Sequence, residues 1–201
     1  MMGLLRDVFG PSKADIWQQV ADEANGQFVD GGFFGKSKVV FTHGQWSITL
    51  DTYTSDSSTF TRMRAPYVNQ DGFRFDIFFE DLVSGIGKRL GTQDIQSGDS
   101  DFDDRFVIKG NDEQKARDFL ANPRLRQLID AQPSIRFEVR NDEGWFGSTF
   151  PDGVDELCCT CGEFIYDVDR LKALYELFAV ALDQLCHIGS AYEDDPHVDL
   201  K

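Results

Sequence analysis

The sequence predicts an α+β fold, with antiparallel β meander(s) packed by a long C-terminal helix. Three observations carry that expectation. From residue 27 to residue 79, short runs alternate apolar and polar side chains between turn residues, as in Phe73-Arg74-Phe75-Asp76-Ile77, which is the period of a half-buried strand. Near the C-terminus the period changes: Val168, Leu171, Leu174/Tyr175, Phe178, Leu182 and Leu185 form a stripe at helical spacing. Phenylalanine is abundant at 18 residues, and its alternating placement suits the core of a sheet.

The elements follow in order. Residues 1–10 put Leu4, Leu5, Val8 and Phe9 on one helical face. Pro11-Ser12 breaks that segment and offers a helix start; residues 14–24 carry the stripe Ile16, Trp17, Val20 and Ala24, and Asn25-Gly26 stops it. Strands are expected at residues 27–34, 38–42, 46–54, 59–68 and 73–79, separated by His43-Gly44, residues 55–58 and Asn69-Gln70-Asp71-Gly72. Pro66 cannot donate to a ladder, so it suggests that 59–68 ends early, bulges or lies at a sheet edge. Residues 81–90 read as a short helix weakened by Gly85 and Gly87, and residues 92–104 as an acidic loop. A strand at 105–109, a Gly-Asn-Asp turn and two helices follow, the second opened by Asn122-Pro123. Strands at 135–139 and 156–164 flank a turn at 141–144 and a segment at 145–150. The helix at 168–188, capped by Asp167 or Asp169, closes the fold before a polar tail at 193–201 that reads as loose.

With 201 residues the chain is expected to be a single domain spanning 1–201. The pattern helix–meander–helix also occurs twice, which offers a subdivision at 12–91 and 104–190.

The formal charge is −15, from 35 acidic and 20 basic residues. Such a surface repels phosphate backbones, so no nucleic-acid partner is expected. No stretch approaches the roughly 20 apolar residues of a membrane span. The absence of a cleavable leader pattern and the bunched cysteines fit a reducing, cytoplasmic setting.

Motif tests mostly fail. Cys158-Cys159-Thr160-Cys161 holds a C-x-x-C spacing, and Cys186-His187 adds two donors. Zinc needs four donors converging at about 2.0–2.3 Å. Within a strand, neighbours point to opposite faces: Cys158 and Cys161 diverge, while Cys159 and Cys161 share a face. The expectation is free thiols, with no metal and no cofactor. The run from Asp99 to Asp104 begins like a calcium loop, but Asp104 and Gly110 stand where an EF-hand needs Gly and Glu. Gly85, Gly87 and Gly91 fit neither the phosphate loop nor the dinucleotide fingerprint. The three histidines, His43, His187 and His197, accompany no nucleophile elbow.

Three segments, 61–67, 102–112 and 185–192, together resemble a group of uncharacterised bacterial proteins. The resemblance spans most of the chain. It implies a bacterial cytoplasmic origin and no catalytic residue.

The resulting functional expectation is a non-enzymatic protein-binding module, its partner another protein or a second copy. Phe33, Phe34, Trp145 and Phe146 are its candidate anchors, because large aromatics at turns favour interfaces. The alternative is a small-ligand-binding protein or enzyme with a pocket between the sheet and the C-terminal helix. In that reading Arg62, Arg64, Arg74 and Arg136, all on expected strands, would hold an anionic ligand.

Overall fold

The alternating runs join into one antiparallel sheet. The computed structural model describes residues 11–32, 36–55, 58–79, 94–141, 150–198 and 200. Its strands are β1 (Gln27–Val29), β2 (Lys38–His43), β3 (Trp46–Ser55), β4 (Ser58–Asn69), β5 (Phe75–Phe79), β6 (Phe106–Gly110), β7 (Ile135–Arg140), β8 (Val154–Cys161) and β9 (Ala191–Tyr192). They lie in the order β1-β2-β3-β4-β8-β7-β5-β6, and β9 also pairs with β4. The described helices are α1 (Lys13–Glu23), α2 (Ser100–Asp103), α3 (Glu113–Leu120), α4 (Pro123–Asp130) and α5 (Val168–His187).

Local chemistry fixes the helix starts. Ser12 and Asp15 form a reciprocal capping box at α1. Asp112 caps α3, Asn122 caps α4 just before Pro123, and Asp167 caps α5. Asn25, at a φ of 53°, turns the chain out of α1. At Gly26 a Cβ would come within 2.6 Å of the Phe41 ring, so only glycine lets the chain pass.

Side-chain alternation gives the sheet two unlike faces. One face carries Ile48, Leu50, Met63, Phe75, Phe137 and Leu157, and all five described helices add buried residues to the same cluster. α5 contributes most: Leu171, Leu174, Leu177, Phe178, Ala181, Leu182 and Leu185 are buried. The buried apolar residues outside that cluster, Phe78, Val154, Cys158 and Leu200, include three that share the opposite face with charged residues.

Several expectations need correction. β4 is not an edge: β3 pairs on one side and β8 on the other. Pro66 is tolerated because β4 changes partner there. The β3 ladder stops at Arg64 and the β9 ladder starts at Val68, so the missing N–H falls in the gap. The tail is not wholly loose. β9 ends just before it, the Leu200 side chain is buried, and the Leu200 carbonyl accepts from Lys38 Nζ at 3.1 Å. The acidic loop contains α2, capped by Asp99, while the Asp103 carboxylate accepts from the backbone of Ser97 and Gly98. β5, which the helix–meander–helix reading places in the first copy, pairs with β6 and β7 of the second. The first strand ends at Val29 rather than at 34. The expected helices at 1–10 and 81–90 and most of the 145–150 segment lie outside the described residues.

Candidate functional site

The face that none of the described helices covers carries charge where a sheet core would carry apolar residues. The register explains how the residues meet. Asp51 stands opposite Arg62, Arg64 opposite Cys158, Cys158 opposite Glu138, Arg140 opposite Glu156, and Glu138 opposite Asp76. Four arginines and four carboxylates thus share one surface across β3, β4, β8, β7 and β5.

They form a continuous chain of ion pairs. Asp51 accepts from Arg62 Nε and Nη2, both at 2.8 Å, and from Arg64 Nη2 at 2.6 Å. Arg64 Nη1 lies 3.6 Å from Glu156 Oε2. Arg140 grips the other Glu156 oxygen from Nε at 2.9 Å and Nη2 at 2.6 Å. Glu138 sits between Arg140 and Arg136, at 3.9 and 3.1 Å. Arg136 ends the chain with a two-pronged bond to Asp76 at 3.0 and 2.8 Å. Paired forks of this kind are the strong form of the interaction.

Burial grades along the lattice. Arg64 is 1% exposed and Glu156 0%, whereas Arg136, Glu138 and Arg140 on β7, and Val107 and Lys109 on β6, are partly exposed. Burial pushes the Glu156 carboxyl upward, and Arg140 and Arg64 offset this only in part. For Asp51 burial acts the same way, but Arg62 and Arg64 outweigh it and hold the group below its ordinary value. Cys158, at the centre of the lattice, is pushed up to about 12 by burial, so it rests as a neutral thiol with little nucleophilic character. Arginine does not give up its proton, and each carboxylate already accepts from one. The arrangement therefore suits recognition better than proton transfer.

Of the expected arginines, Arg62, Arg64 and Arg136 meet in this lattice. Arg74 does not: it binds Asp155 at 3.0 Å through Nε and Nη2, and Asp155 projects from the helix-covered face. Arg140 and Glu156 were missed by sequence reasoning. Glu156 opened an expected strand and Arg140 lay one residue beyond another, but nothing local showed their pairing. Phe33, Phe34, Trp145 and Phe146 lie outside the described residues. The sheet–α5 contact is filled by side chains with no exposure. An open groove of about 520 Å³ lies elsewhere, beside Asp118, Asn122, Gln184 and His187, where Asn122 is already engaged in capping α4 and Gln184 Nε2 donates to the Asp118 carbonyl.

Cys159 and Cys161 share the helix-covered face as expected, and all four cysteines are free. Among the described residues no cluster of His, Cys, Asp and Glu is arranged to hold a metal, and no helix is long and apolar enough to cross a membrane. Compared with protein-family models, with curated proteins and with solved structures, the chain matches none.

Proposed function

We propose that this chain is a non-enzymatic binding module that seats a protein partner on the partly exposed strip Val107, Lys109, Arg136, Glu138 and Arg140. The observation that carries the reading is the ion-pair chain that runs through Arg136, Glu138 and Arg140 of that strip. Side chains already locked by their neighbours lose little freedom when a partner arrives, so less of the contact energy is spent on ordering them. Along β7 the strip alternates sign, with Arg136 and Arg140 flanking Glu138, which suits a polypeptide bearing both charges. A phosphate backbone would meet the net charge of −15 and be repelled.

Affinity capture followed by mass spectrometry tests the reading. The wild type is compared with Lys109→Glu and Arg136→Gln, and melting curves confirm that both variants fold. Lys109 is the cleaner probe, because its ammonium lies over the Phe78 ring at 5.8 Å, and that contact contributes only about 0.5–1 kcal/mol at an exposed site. A partner retained by the wild type and lost from both variants supports the assignment. Capture unchanged by both overturns it, as does a loss confined to Trp145→Ala, which would move the contact to the aromatic pair.

A further inference from the structure

Two thiols and a methionine side chain share the helix side of the sheet, away from the charged lattice. Cys159 and Cys161 lie two residues apart on β8 and project from the same face. Their sulfurs stand 3.9 Å apart. Met63 of β4 is the register partner of Cys159, so its side chain rises from that face beside the pair. All three residues are fully buried.

We propose that Cys159, Cys161 and Met63 form a site for a soft monovalent metal ion, Cu(I), held by two thiolates and one thioether. Soft sulfur donors select Cu(I) over the harder divalent ions. With metal–sulfur bonds of about 2.3 Å, a sulfur separation of 3.9 Å corresponds to an angle of roughly 115° at the metal. That is close to trigonal, and a third donor from Met63 completes it. Zinc needs four donors, and no group of even three His, Cys, Asp or Glu side chains is arranged for a metal among the described residues.

Binding displaces one proton from each thiol and leaves a complex of net charge −1. Arg170 supplies the balancing charge. Its guanidinium acts electrostatically on Cys161. Arg170 is itself tied to Glu163 at 2.7 Å. Cys161 is the last residue of β8, and Gly162 and Glu163 beyond it are exposed.

Titration of the full chain with Cu(I) against a chromophoric Cu(I) chelator, without oxygen, tests the site, together with X-ray absorption at the copper edge. The expected result is one copper per chain with three sulfur neighbours. Copper should be lost from the Cys159→Ala/Cys161→Ala variant and kept by Cys158→Ala/Cys186→Ala. Arg170→Gln should weaken binding about tenfold, as loss of an outer-sphere partner does. Should the double cysteine variant fail to fold, Met63→Leu decides, because the folded protein must then show two sulfur neighbours instead of three. No copper uptake, copper kept by the Cys159→Ala/Cys161→Ala variant, three sulfurs still present in Met63→Leu, or zinc bound as tightly as Cu(I) would each overturn the proposal.

Discussion

At Asp51 burial and charge pull in opposite directions, and charge wins. Burial raises the carboxyl; the Arg62 hydrogen bonds and the Arg64 and Arg62 charges bring it below its ordinary value. A depressed folded value stabilises the fold above the unfolded carboxylate range, and that stability is lost as pH falls through the folded value. Asp51→Asn keeps the shape but leaves two buried guanidiniums short of a negative charge. It should cost about 3–5 kcal/mol at neutral pH, measured by urea unfolding, and should flatten the acid limb of the stability profile. An unchanged acid limb would mean that Asp51 is not the group that titrates. Tyr67 presents the opposite case. Its hydroxyl is fully buried with no hydrogen-bond partner among the described residues, and burial pushes it well above its ordinary value. Tyr67→Phe removes that unsatisfied group and leaves the ring, so the variant should be as stable as the wild type or more so, by about 1 kcal/mol. A loss of stability in the same urea assay would reveal a bond the structure does not contain.

Among the elements, those with a strong local period were readable from the sequence and those defined by distant partners were not. The stripe of α5 named Leu174, Phe178, Leu182 and Leu185 correctly, and all four are buried. Leu182→Ala should therefore cost about 2–5 kcal/mol by denaturant unfolding, since it opens a cavity between helix and sheet; a change within about 0.5 kcal/mol would place it at a surface instead. Pro66 misled because its chemistry is local while its tolerance is not. The sequence says that Pro66 has no N–H. It does not say that β3 stops pairing two residues earlier and that β9, more than 120 residues later in the chain, takes over two residues beyond. The acidic loop was misread for a related reason. Asp99 and Asp103 look like free charges, yet they accept backbone N–H groups and build a short helix. The same blindness applies to sulfur: Met63 carried no signal beside the cysteine cluster, and only the β4–β8 register places it there.

For the whole molecule, the order of the strands decides what the charged residues do. Arg62, Arg64 and Arg136 were readable as strand residues, but the lattice needs Glu156 beside Arg64 and Asp76 beside Arg136, and those partners arrive through the β4-β8-β7-β5 order. The same order bears on self-association. A sheet invites a second copy along its free edges. Among the described strands the outer two are β1, with 3 residues, and β6, with 5 residues, and the Ile108 carbonyl of β6 already accepts from the Ile95 N–H at 2.8 Å. β4, a long and richly paired strand, lies in the interior. Short or partly occupied edges give little backbone for a second copy to pair with, and the net charge of −15 adds repulsion between copies. Light scattering over a concentration series should therefore hold at the single-chain mass of 22.8 kDa. A mass that rises with concentration would return the second copy as the partner, and Lys109→Glu would then show whether it docks on the charged strip. Lowering the salt separates the two routes to any dimer that forms: charge repulsion lengthens its range as salt falls and weakens edge pairing, whereas pairing through the alternating charges of the lattice strengthens.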